Sequence, residues 1–301
     1  MSKNVGEYLL TTRLGKGSFA TVSLGQNRAS GSLVAIKIIS REQLNRKHTE
    51  NLESEISILR NFRHPNMVEL YDIKKTDNNI YLILEYCEGG DLQRFIKARG
   101  RLREGTAQAF MTHLAAGLKF LWERSLIHRD LKPQNLLLAK LPESLAHTAP
   151  ATGGLILKIA DFGFARHLEV ASMAETLCGS PLYMAPEILE GRRYDAKADL
   201  WSVGAILFEM VVGHPPFGGA NHLELLRNIK SRSLVVPEDV EIGVGCLEVL
   251  KMLLKRDPNK RASFETFFGA EFVNAGAGLP QYTITFNTDP PPRVSNAQLQ
   301  P

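Results

Sequence analysis

His128-Arg129-Asp130-Leu131-Lys132-Pro133-Gln134-Asn135, followed downstream by Asp161-Phe162-Gly163 and Ala185-Pro186-Glu187, decides how this chain is read. Asp130 is placed to orient a hydroxyl and accept its proton. Lys132, two residues on, would neutralise charge on a transferred phosphoryl group. Asn135 and Asp161 supply hard oxygen ligands of the kind magnesium takes. His-Arg-Asp alone arises by chance in many chains of this length. The whole string with its lysine, proline and asparagine does not, and the set reads as a machine for phosphoryl transfer.

Working outward, Gly15-Lys16-Gly17-Ser18-Phe19-Ala20-Thr21-Val22 offers a turn whose backbone can approach phosphate oxygens, because glycine has no side chain to block it. A plain hairpin turn reads the same string equally well. Lys37 sits in Val34-Ala35-Ile36-Lys37-Ile38-Ile39, a charge inside a β-branched run. A buried ammonium needs a strong partner. Glu55 is the natural candidate, on the following stretch where Leu52, Glu55, Ile56 and Leu59 recur at helical spacing.

From about Tyr8 to Phe272 the chain resembles eukaryotic Ser/Thr protein kinases, and the resemblance adds roles that spacing does not give. It implies that Lys37, held by Glu55, meets the α- and β-phosphates. Leu84 resembles the gatekeeper and Glu85 to Cys87 the hinge, while Leu14, Val22, Ala35 and Leu137 would sandwich the adenine. Asp91 falls in the same nucleotide site. Asp199 resembles a buried carboxylate that anchors the catalytic loop, and Glu187 with Arg261 an ion pair under the activation segment. Thr176 matches an activation-loop phosphosite, with Arg129 as the receiver of its phosphate. Lys132 and Gly179-Ser180-Pro181-Leu182-Tyr183 mark the Ser/Thr rather than the tyrosine type. Ala20 stands where a third loop glycine is usual.

Three strings narrow the resemblance to the Unc-51-like, autophagy-initiating kinases: the Gly15–Val22 loop, Ile159-Ala160-Asp161-Phe162-Gly163-Phe164-Ala165-Arg166, and Thr176-Leu177-Cys178-Gly179-Ser180-Pro181-Leu182-Tyr183-Met184-Ala185-Pro186-Glu187. Calcium/calmodulin-type and AMP-activated kinases share much of this pattern. The implied cofactors are ATP and magnesium, and the implied partners are proteins carrying Ser or Thr, with regulatory subunits engaging regions not in this chain. Gln134 replaces a glutamate used to read arginine, which argues against strong selection for basic peptides; the resemblance suggests serine flanked by apolar residues. A pseudokinase scaffold is the reading from another class, opposed by the presence of Lys37, Glu55, Asp130, Lys132, Asn135 and Asp161 together. A small-molecule kinase is opposed by the Ala185-Pro186-Glu187 segment.

The expected fold class is α+β: a bilobal protein-kinase fold with a small β-rich N-lobe carrying one main helix and a larger α-helical C-lobe. The domain is expected over 1–275, with the N-lobe over about 1–86 and the C-lobe over about 90–275. Tyr8 to Ile39, Val68 to Tyr71 and Ile80 to Glu85 read as strands, and Glu42 to Asn61 as the helix. Thr106 to Ser125, Lys197 to Met210, Leu223 to Ser231 and Cys246 to Lys255 read as helices. Leu141 to Gly154 reads as an irregular surface loop before a strand at Leu155–Ile159, and 276–301, with Pro290-Pro291-Pro292, as a flexible tail.

Bulk properties agree. The 301 residues include 44% hydrophobic and 23% charged residues, ordinary for a globular chain. A net charge of +4 without a dense Lys/Arg run gives no support to nucleic-acid binding. Three cysteines (Cys87, Cys178, Cys246) lack metal spacing and, with no secretory signal, read as reduced thiols of a cytoplasmic protein. Leu200 to Val212, apolar but for Glu209, is too short for a bilayer and reads as a buried helix.

Overall fold

The structure, a computed structural model, describes residues 4–17, 20–167, 181–192 and 195–274. Chain packing divides them between Glu88 and Gly89 into two compact units.

The first unit is an antiparallel sheet with one long helix. Its strands are β1 (Asn4–Val5), β2 (Tyr8–Lys16), β3 (Ala20–Asn27), β4 (Leu33–Ser40), β5 (Leu70–Lys75) and β6 (Asn79–Glu85), in the order β1-β2-β3-β4-β6-β5. Alternation along β-branched β4 separates two faces. Val34 and Ile36, with Tyr81 and Ile83 of β6, pack against Val5, Tyr8 and Leu10. Ala35 and Lys37 point the other way, and the register sets Lys37 beside Val22 and Leu82, and Ala35 beside Leu84.

Helix α1 (Arg46–Asn61) begins later than the expected Glu42 because Asn45 caps it, its side chain accepting from the His48 amide. Residues Arg41–Gln43 form a separate 3-10 turn. Leu52, Glu55, Ile58 and Leu59 form its buried face. The strand expected at Val68–Tyr71 is shifted. Met67 and Val68 are buried, yet the pairing starts at Leu70 and runs into polar Lys74 and Lys75. Hydrophobicity marked the buried entry to this strand, whereas backbone pairing carried it onward to polar Lys74 and Lys75.

The second unit contains α2 (Leu92–Arg99), α3 (Glu104–Trp122), β7 (Leu126–Ile127), β8 (Leu136–Lys140), α4 (Glu143–Ala146), β9 (Leu155–Ile159), β10 (Arg166–His167), α5 (Pro186–Leu189), α6 (Lys197–Val212), α7 (His222–Ser231), α8 (Val244–Leu253), α9 (Phe264–Gly269) and α10 (Glu271–Asn274). Every residue of α6 from Ala198 to Val212 is buried, as its nearly uninterrupted apolar run requires of a core helix. Helices α3 and α8 pack on it. Helix α3 ends at Trp122, three residues short of the expected Ser125, whose φ of 55° lies outside helical geometry.

Residues 141–154, expected as an irregular surface loop, are more ordered than that. The Leu141 amide donates to the Gly154 carbonyl at 2.8 Å, closing the base of the segment. Between them lie α4 and a 3-10 turn over Pro150–Thr152. Thr106 Oγ1 of α3 donates to the Ala151 carbonyl at 2.7 Å, and Ala149 and Thr152 are buried. The alanines and threonines that read as loop composition are small enough to lie against a helix.

Among buried polar groups of this unit, His113 of α3 takes the Leu157 amide on Nδ1 at 3.3 Å. Burial pushes its pKa down to about 4 from 6.5. The unfolded chain therefore binds a proton that the folded one refuses between those values. Stability is full above about pH 6.5 and falls as pH drops toward 4, by roughly 3 kcal/mol in all. His113→Gln, which keeps an acceptor for the amide, should flatten the melting temperature between pH 6.5 and 5 relative to wild type. Equal slopes would remove His113 as the cause.

Candidate functional site

In the first unit, Gly15 pairs with Val22 and Lys16 with Thr21, and the Gly17 amide donates to the Ala20 carbonyl at 2.8 Å, making a tight turn. Ser18 and Phe19 lie outside the described residues. Among the described residues, a Cβ placed on Gly15 would meet nothing within 4 Å, so none of them demands glycine there. The open space fits a backbone kept bare for an approaching ligand. Two irregularities in β2, between Leu10 and Arg13 and between Arg13 and Gly15, re-aim the strand just before this turn.

Lys37 has the partner its burial called for. Its Nζ reaches both carboxylate oxygens of Glu55, at 2.7 and 2.8 Å. Glu55 is 5% exposed in its side chain and Lys37 18%, so the pair is mostly withdrawn from water. Val22, Ala35 and Leu84 share the sheet face of Lys37, each half-buried. Leu14 and Glu85 are also half-buried, and Cys87 is buried.

In the second unit, the catalytic-loop candidates converge on one oxygen. Lys132 Nζ donates to Asp130 Oδ2 at 2.6 Å, and Asn135 Nδ2 donates to the same oxygen at 2.9 Å and to the Asp130 carbonyl at 2.8 Å. Asn135 thereby turns its own Oδ1 away from Asp130. The β8–β9 register pairs Leu136 with Ile159, and the Ala160 amide donates to the Asn135 carbonyl at 2.9 Å. Asn135 and Asp161 are thus brought together by a hairpin, and a carboxylate beside an amide oxygen is a donor set that fits magnesium. Asp161 has a φ of 61° and Arg129 of 69°, left-handed values rare for such residues.

Burial raises the Asp130 pKa above the ordinary carboxylate range. The charge of Lys132 and its hydrogen bond oppose this, as does His128, whereas Asp161 adds to it. A base of raised affinity is better matched to taking a proton near neutrality. The loop that carries it is fixed from beneath. Asp199, 1% exposed on α6, accepts the His128 amide at 2.8 Å and the Arg129 amide at 3.0 Å. His128 accepts from the Asp130 amide on Nδ1 and donates from Nε2 to the Ala160 carbonyl at 3.0 Å.

Two of the remaining sequence candidates have other duties visible. The Asp91 carboxylate caps α2, accepting from the Arg94 amide at 2.9 Å and meeting Arg94 Nε at 3.3 Å. Leu137 bridges to Asp91, and Gly89 packs so closely on Leu138 that a Cβ would sit 2.8 Å from it. Thr176, with Cys178 and Ser180, lies outside the described residues.

Sequence reading missed a buried pair. Tyr183 Oη donates to Glu209 Oε2 at 2.6 Å, and Ser202 Oγ holds the Tyr183 carbonyl at 2.7 Å. Burial raises the pKa of both Tyr183 and Glu209. A glutamate inside the apolar 200–212 run was the signal that a partner existed; nothing in the spacing named a tyrosine from another segment.

The protein kinase domain family matches residues 8–273. The chain is 49% identical over 279 residues to the serine/threonine-protein kinase ATG1a of Arabidopsis thaliana, covering 92% of this chain and 43% of that protein. It is 46% identical to serine/threonine-protein kinase ATG1 of Pyricularia oryzae, covering 88% and 31%, and 45% identical to atg1 of Aspergillus clavatus, covering 90% and 34%. The chain thus spans less than half the length of these relatives. The resemblance to the Unc-51-like group holds, and the small β-rich and larger helical units fit the expected fold class.

Proposed function

The chain belongs to the protein kinase family, and on that premise we propose that it transfers the γ-phosphate of ATP to serine or threonine of proteins, in the signalling that initiates autophagy. The observation that carries this reading is the convergence of Lys132 and Asn135 on Asp130 Oδ2, with Asp161 beside them.

In this reading Asp130 orients the substrate hydroxyl and takes its proton as the oxygen attacks. Lys132 moves from the aspartate to the transferred group, offsetting its charge. Lys37, held straight by Glu55, binds the α- and β-phosphates, and the backbone from Gly15 to Val22 covers them. Leu14, Val22, Ala35, Leu84 and Leu137 would enclose the adenine, with Glu85 and Cys87 supplying backbone partners and Asp91 at the rim. Asn135 and Asp161 would hold magnesium, which neutralises phosphate charge when bound. Thr176 would be the activating phosphosite, its phosphate received by Arg129. Cytoplasmic placement, and regulatory subunits engaging regions outside this chain, complete the proposal. Among the described residues no helix is long and apolar enough to cross a membrane.

The scaffold reading is not favoured, because no residue of this set is missing. The test is transfer from ATP with magnesium to a peptide library containing serine, threonine and tyrosine. Labelled serine or threonine, no labelled tyrosine, and loss of all transfer on chelating the metal are expected. No transfer, even with Thr176 phosphorylated, would sink the enzyme reading.

A further inference from the structure

The outer side of α7 carries two exposed basic residues, Arg227 and Lys230, with Arg232 just beyond its end. Its buried residues, Leu225, Asn228 and Ile229, face the cluster that holds Ala185, Leu189, Trp201 and Phe217, so the helix lies directly under the segment leading from Pro181 to Leu189. Its opposite stripe is Leu223, Arg227 and Lys230, at the i, i+4, i+7 spacing of a single helix face.

That stripe is open. Leu223 is 68% exposed, one of few large apolar residues so presented among the described residues, and the Arg227 and Lys230 side chains are 75% and 56% exposed. Arg227 meets Glu224 only at 3.9 Å. Lys230 reaches Glu190 at 2.5 Å, but Arg192 uses the same carboxylate at 2.8 Å, so one acidic group serves two bases. Exposed Arg232 follows the helix, its carbonyl held by Arg256. The result is a basic surface with a leucine at one end, continuous through α7 with the elements around the catalytic loop.

We propose that this face docks an acidic segment of the protein substrate, one that carries an apolar side chain for Leu223. The inference rests on the protein kinase reading above, and adds to it a recognition site away from the phosphate-accepting residue. Charge complementarity favours an acidic occupant. A protein segment is favoured over a lipid surface because α7 packs under the segment next to the transfer site, where a protein substrate already has to sit. A single exposed leucine is also a small apolar anchor for a bilayer.

The test compares a short serine peptide with the same peptide joined through a Gly-Ser linker to Glu-Glu-Leu-Glu-Glu-Leu, on either end, as substrates of wild type and of Arg227→Gln/Lys230→Gln. The extension should lower KM about ten-fold for wild type at low salt, what two or three exposed ion pairs supply together, with kcat unchanged. The double variant should lose that gain and treat the short peptide as wild type does. Fluorescence anisotropy of the labelled acidic extension alone should show binding to wild type, weakened by salt and by the variant. No gain from the extension, or an equal gain in the variant, overturns the proposal. So does binding to phosphatidylserine vesicles without binding to the acidic peptide. Failure to phosphorylate the short peptide would count against the kinase reading, while the anisotropy result still decides the docking face.

Discussion

Replacing Asp130 by asparagine is expected to lower kcat for phosphate transfer by about 10²–10⁴-fold, the range a positioned general base supplies. The side chain keeps its shape, and its amide oxygen can still accept from Lys132 and Asn135, which now donate at 2.6 and 2.9 Å. Nucleotide affinity should therefore change little, because Lys37, Glu55 and the Gly15–Val22 turn are untouched. The informative result is the split: a large loss in kcat with near-normal ATP binding. An unchanged kcat would mean that the proton leaves by another route. In the wild type, the same burial that raises the Asp130 pKa should lift the acid limb of the pH–rate profile above that of an ordinary aspartate. Activity is lost as pH falls through this limb, because the protonated acid cannot accept.

The second large effect concerns stability. Arg261 is 2% exposed and holds Glu187 with two hydrogen bonds, at 2.6 and 3.0 Å. It also donates to the carbonyls of Lys255 at 3.1 Å and Lys197 at 2.8 Å, and its guanidinium lies 5.4 Å from the Trp201 ring centre. Arg261→Ala leaves a buried carboxylate without its cation and takes a donor from each of two carbonyls. About 3–5 kcal/mol of stability should be lost, a large fraction of what a domain has. Replacing both members with apolar residues, Glu187→Leu with Arg261→Met, should recover part of this, since no lone charge is then buried. Both tryptophans, Trp122 and Trp201, lie in the larger unit, so denaturant unfolding followed by their fluorescence reads the unit concerned. A single variant that unfolds like wild type would show the pair to be dispensable.

The catalytic loop was legible because its chemistry sits in short, contiguous strings. Asp130, Lys132 and Asn135 are close in sequence, and the hairpin that brings Asp161 to them announces itself by a largely apolar strand at Leu155–Ile159. Lys37 with Glu55 was legible for a different reason: a charge in a β-branched run is a demand, and an acid on the next apolar helix answers it. Tyr183 with Glu209 carries the same kind of demand, but the partner comes from a segment with no periodic pattern to place it. Strand limits near Val68 failed because burial and backbone pairing part company there, and only the second defines a strand. Residues 141–154 failed because small residues read as loop wherever they occur, although here Ala149 and Thr152 serve as packing surface. The basic face of α7 is a matter of which charges share a side, and composition alone averages it away.

The grip of Asp199 on the His128 and Arg129 amides has a consequence for how the protein would fail under heat. The loop draws its shape from the most deeply buried helix of its unit rather than from a ladder of its own. Gradual slackening at the reactive aspartate is then excluded while that helix stays seated. The placement of Asp130 and the core of the larger unit would then be lost together as that unit unfolds, leaving few chains with the core intact and the loop displaced.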